Sequence, residues 1–166
     1  MQKVVTVLTA IARIATGLSF AVIIAAVIIQ LLGRSGVIDS VVWTEELTRF
    51  ALLFLAAFGV GLAYRSGDLV NVDIVCEALP GRLPWILRLV SALITLGFGL
   101  MLIKATWLYV SIGVRQTAPS LGIRMDFIHA SVLVALVSLS IFAALRVFAM
   151  LTRRETGLPD KPEEEL

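Results

Sequence analysis

The apolar positions of this chain fall into four long blocks separated by short charged stretches. No charge stands between Arg13 and Arg34 in the first block. As a helix, residues 14 to 33 rise about 30 Å at about 1.5 Å each, the thickness of a bilayer's hydrocarbon core. The pattern predicts a spanning helix over residues 5–32, with Gln30 as its one strongly polar side chain and Gly33 and Gly36 ending it. Lys3 and Arg13 before an apolar run resemble a signal peptide. A signal core runs only about 7–15 residues, however, so an uncleaved first helix is the expectation.

The second block is charge-free only from 50 to 64, between Arg49 and Arg65. That stretch reaches about 22 Å, too short to span. The helix is therefore predicted over 44–64, carrying Glu45, Glu46 and Arg49 in its first turns. Thr44 is placed to cap it, and acids in a first turn suit the helix dipole. Glu45 and Arg49 stand at i and i+4, in the favourable order for an ion pair. Trp43 sits where interfacial aromatics belong.

The connector from Arg65 to Arg88 holds Gly67, Pro80, Gly81 and Pro84. Within it, the apolar positions 69, 72, 75, 76 and 79 recur at helical spacing. This predicts a short amphipathic helix lying in the membrane interface. A third span is predicted over 85–112, with Lys104 snorkelling toward the interface marked by Trp107 and Tyr109. Pro119 and Gly122 lie in the next connector, and a fourth span is predicted over 127–151. Arg146 lies just inside its end, where it can snorkel. Residues 152–166 turn acidic and proline-containing and read as a disordered cytoplasmic tail.

Small residues mark packing surfaces: Ala57 with Gly61, Gly59 with Ala63, and the row Ser91, Thr95 and Gly99. The fold class expected is all-α: one domain of four transmembrane helices over 1–151, plus the interfacial helix.

Composition sharpens this picture. Of 166 residues, 59% are hydrophobic, against about 45–50% in soluble domains. Four spans and their connectors leave no room for a soluble catalytic domain. The net charge is +2, but the basic residues flank apolar blocks, which suits lipid headgroups and not nucleic acid. Nine Lys and Arg fall on the side of the termini and five on the other, so both termini are expected in the cytoplasm. The single cysteine, Cys76, permits neither an intrachain disulfide nor a zinc site.

Candidate chemistry is sparse. No acid stands mid-membrane to carry a proton. The lone histidine, His129, cannot supply bis-histidine haem ligation and reads as an interfacial structural residue. No phosphate-binding loop and no nucleophile–base pair is present, so no enzyme, cofactor or metal is expected. The segment Trp43-Thr44-Glu45-Glu46-Leu47-Thr48-Arg49-Phe50 is the strongest local feature. It reads either as an ordinary helix start with a surface ion pair or as charges held by a partner subunit. The stretch from Arg65 to Asp73 reads as a solvated loop or as a docking surface.

Trp43-x-Glu45-Glu46-x-x-Arg49-Phe50, then Gly59, then Arg65-x-Gly67-x-x-x-x-Val72-Asp73 resemble the DctQ-type small membrane subunit of tripartite ATP-independent periplasmic (TRAP) transporters. Thr117-x-Pro119-x-Leu121-Gly122-Ile123 also looks like that family's last connector. Leu69 stands where the family often has a histidine, and Arg124 where a proline is common. The resemblance implies a scaffold in the bacterial inner membrane beside a large DctM-type elevator subunit. It also implies a periplasmic binding protein that delivers an organic acid for sodium-driven import. Trp43, Glu45, Glu46, Arg49, Arg65 and Asp73 match the pattern and are expected to serve fold and subunit contact. The rival reading is a small four-helix efflux pump acting as a homo-oligomer. That pump would want a membrane-embedded acid, which the first helix lacks. A membrane anchor for a redox enzyme and a membrane-embedded enzyme are weaker rivals, lacking haem ligands and a catalytic constellation respectively.

Overall fold

The computed structural model describes residues 2–39, 41–67, 69 and 83–152, with side chains from residue 5 onward. Among the described residues four helices run in chain order: α1 Gln2–Arg34, α2 Trp43–Ser66, α3 Leu83–Gly113 and α4 Met125–Leu151. Each is long and apolar enough to cross a membrane. Among the described residues there is no strand, only an isolated bridge between Thr117 and Arg124. The chain is all-α, as its apolar blocks require. The interfacial helix expected over 69–79, the tail beyond Thr152 and Asp73 lie outside the described residues.

The helix ends follow local chemistry. α2 begins at Trp43, and its flanking residue Val42 makes no side-chain cap. Thr44, expected to cap, is fully buried, and its hydroxyl donates back to the Val41 carbonyl at 2.7 Å. The helix starts one residue earlier than expected, which puts Thr44 inside it, where a hydroxyl bonds a preceding carbonyl. α2 ends at Gly67, whose φ of 86° lies in the left-handed region that only glycine adopts without cost. Pro84 falls in the first turn of α3, where its missing N–H is no loss.

The helices alternate in direction, so the α1–α2 and α3–α4 connectors share one end of the bundle and the start of α1 and the end of α4 share the other. α1 packs on α2, α2 on α4, and α4 on α3. α4 is thus the helix that joins the two halves. Its two crossings use glycines. A Cβ at Gly61 would stand 2.6 Å from the Phe142 ring and closer still to Ser138 Oγ. A Cβ at Gly99 would run into Ser140 Oγ. Of the small-residue pairs in α2, Ala57 and Gly61 are buried, whereas a Cβ at Gly59 would meet open space. Close backbone approach is what holds helices together in lipid, where burial itself gives no driving force.

The core at the terminal end is Tyr64, Phe142 and Ala143, with Leu8, Leu96 and Leu139 around them. Arg146, expected to snorkel toward the membrane surface, turns onto this core. Its guanidinium lies 5.6 Å from the centre of the Tyr64 ring. Cation–π attraction gains strength out of water, which favours the ring over the interface. At the other end of α3, His129 is buried and stacks on Tyr109, with ring centres 3.9 Å apart. Its Nδ1–H donates to the Tyr109 carbonyl at 3.1 Å. Gly113 makes room for it, since a Cβ there would stand 2.6 Å from Nδ1. His129 is structural, a pin between α3 and α4.

Candidate functional site

The charged residues of α2's first turns meet two different neighbours. Glu45 faces α1. Its Oε1 accepts from Gln30 Nε2 at 3.1 Å and lies 3.5 Å from the Arg34 guanidinium. The side chains of this ion pair are 71% and 51% exposed, so it contributes at most about 1 kcal/mol. The Glu45–Arg49 pair expected from the i, i+4 spacing does not form. Two donors on α1 take the carboxylate that Arg49 would have used.

Glu46 faces the last connector. Its Oε2 accepts two backbone bonds, from Ser120 N and Leu121 N, both at 2.9 Å. The connector is itself closed by backbone bonds. Ala118 N donates to the Ile123 carbonyl at 2.8 Å, Gly122 N to Ala118 at 2.9 Å, and Met125 N to Gln116 at 2.9 Å. Gly122 supplies the left-handed φ of 65° that the turn needs. Ala118 is buried at 2% exposure. Arg124 makes two bonds to Asp126 in the first turn of α4, at 2.7 and 3.2 Å. Residues 116–125 therefore form a tied loop, and a carboxylate from another helix caps its tip. Charge-assisted bonds of this kind are stronger than neutral ones.

Arg49 is left over. It is exposed, and no hydrogen bond or ion pair reaches it among the described residues. Trp43 is half-buried at the start of the same helix. Arg65 lies at the opposite end of α2, about 24 Å along the axis at about 1.5 Å per residue. It is half-buried and donates to Thr9 Oγ1 of α1. The structure thus gathers Trp43, Glu45, Glu46 and Arg49 at the connector end and sets Arg65 apart.

Sequence reasoning missed the partner of Glu46, although the two segments that meet there, around Glu46 and around Leu121, are both motif segments. Nothing in single-sequence spacing links positions 74 and 75 residues apart. Among the described residues, no three His, Cys, Asp or Glu side chains come together to hold a metal. What the site can do is present a polar surface on which Arg49 stands exposed.

The model of the family described as "Tripartite ATP-independent periplasmic transporters, DctQ component" matches residues 23–153. A Haemophilus influenzae protein provisionally named a TRAP transporter small permease protein is 24% identical over 121 residues, covering 73% of this chain and 70% of that protein. The matched span takes in α2, α3, α4 and the Glu46-capped loop, and on this ground the chain belongs to the DctQ family, the small multi-pass inner-membrane component of TRAP transporters.

Proposed function

We propose that this chain is the scaffold of a sodium-coupled importer of organic acids. Beside it stands a large DctM-type subunit that moves the acid by an elevator motion. A periplasmic binding protein delivers the acid to the connector end, and both termini lie in the cytoplasm. One observation carries the reading: Glu46 ties the last connector to α2 and leaves Arg49 exposed. The described acids, Asp39, Glu45, Glu46 and Asp126, all lie in connectors or first turns. Such a chain has little with which to bind sodium or a carboxylate inside the membrane. The carrier chemistry then belongs to the partner. Glu45, Glu46 and Arg65 hold the fold, while Arg49 and Trp43 face the other subunit.

Liposomes with the large subunit, this chain and the binding protein test this. Organic-acid uptake under a sodium gradient is expected only when all three are present. Uptake that persists without this chain, or transport by this chain alone, contradicts the scaffold role.

A further inference from the structure

A groove of about 290 Å³ runs along the membrane-spanning part of the bundle, between α1 and α4 with α2 as its floor. Leu8, Ile11 and Ala12 form one wall, Phe58 the floor, and α4 from Leu133 to Phe142 the other wall. Its one polar side chain, Ser138, is packed toward Gly61. The rim residues Ile11, Val137 and Ile141 are 59%, 38% and 39% exposed, so the groove opens outward. A helix, about 10 Å wide, is too thick for a groove this small. An unbranched hydrocarbon chain is not.

No charged residue lines the groove, but the register of α2 sets a cation toward its terminal end. Arg65 stands seven residues, two turns, beyond Phe58, on the same stripe of α2 that floors the groove. Its guanidinium is steered to this place by Thr9, the neighbour of groove residue Leu8. A guanidinium has five N–H donors in a fork that fits phosphate oxygens. Basic positions between spanning helices at a membrane surface are where phosphate headgroups bind.

We propose that this groove is a phospholipid site, with one acyl chain between α1 and α4 and the headgroup phosphate on Arg65. The lipid comes from the leaflet on the side of the termini. It fills the gap that α1 and α4 leave and holds α1, the outermost helix of its half, against the bundle. The proposal rests on the four-span membrane fold and not on the transport reading.

The test is native mass spectrometry of the full chain, co-expressed with the large subunit and purified in mild detergent. Membranes of phosphatidylethanolamine and phosphatidylglycerol are the lipid source. One phospholipid per chain is expected to survive purification. Ile141→Trp and Val137→Trp, which fill the groove from its rim, and Arg65→Gln each reduce its occupancy at least about tenfold, the scale of one charge-assisted bond or of lost chain contacts. Arg65→Lys retains part of it, and Leu108→Trp on the outer face of α3 changes nothing. Equal occupancy in the groove and mouth variants overturns the proposal. So does a groove holding detergent alone, or Val137→Cys cross-linking to the large subunit in place of lipid. The same spectra score the large subunit separately, so loss of the partner and loss of the lipid are distinct outcomes.

Discussion

Glu46→Ala is expected to release the loop over 117–124 from α2 while leaving the four helices in place. The substitution strips Ser120 N and Leu121 N of a shared carboxylate acceptor. Two charge-assisted bonds at a partly exposed site are together worth about 2–3 kcal/mol. The loop keeps its own backbone bonds, so it loosens as a unit rather than unravelling. A spin label on the exposed Ser120 reads this directly: its spectrum sharpens in Glu46→Ala. Glu46→Gln gives an intermediate spectrum, because an amide oxygen still accepts but carries no charge. An unchanged spectrum in Glu46→Ala means that something else holds the loop.

Gly61→Ala is expected to weaken the α2–α4 crossing by about 2 kcal/mol, the usual scale of overpacking. The added methyl has no free space, since the Phe142 ring and Ser138 Oγ already occupy it. Phe142 is 6% exposed and cannot swing outward without opening the core around Tyr64. Gly59→Ala, two residues away in open space, is the control and costs little. Unfolding in detergent measures both. In a Phe142→Ala background the cost of Gly61→Ala shrinks, because the two sites share one space. Equal effects at Gly59 and Gly61 contradict the crossing described here.

The four helices were legible because lipid imposes a simple rule: about 20 residues without charge must be helical to satisfy their backbone. Charge-free runs such as 14–33 announce this without any knowledge of packing. The start of α2 was legible to within a residue, because an apolar run of 50–64 is too short to stand alone. Its cap was not, since whether Thr44 caps or donates backward depends on one residue of helix register.

Pairing between helices was the part that sequence hides. The i, i+4 rule offered Arg49 to Glu45, yet Gln30 and Arg34 on α1 arrive from outside that spacing. Arg146 had two exits, the interface and the Tyr64 ring, and only the packing of α2 on α4 decides between them. The Glu46 clamp joins segments that the chain keeps 74 residues apart, although both had been marked by the family resemblance. Each motif was visible. Their contact was not.

The central claim is that this chain is a partner-bound scaffold with the exposed Arg49 facing another subunit. Co-expression with a large DctM-type subunit, and purification through a tag on this chain, tests it most directly. A stable complex is expected from the native chain, and Arg49→Glu is expected to lower its yield at least about tenfold, the effect of replacing attraction by repulsion at one contact. If the chain instead purifies alone as a homo-oligomer that moves solute by itself, the scaffold account is wrong.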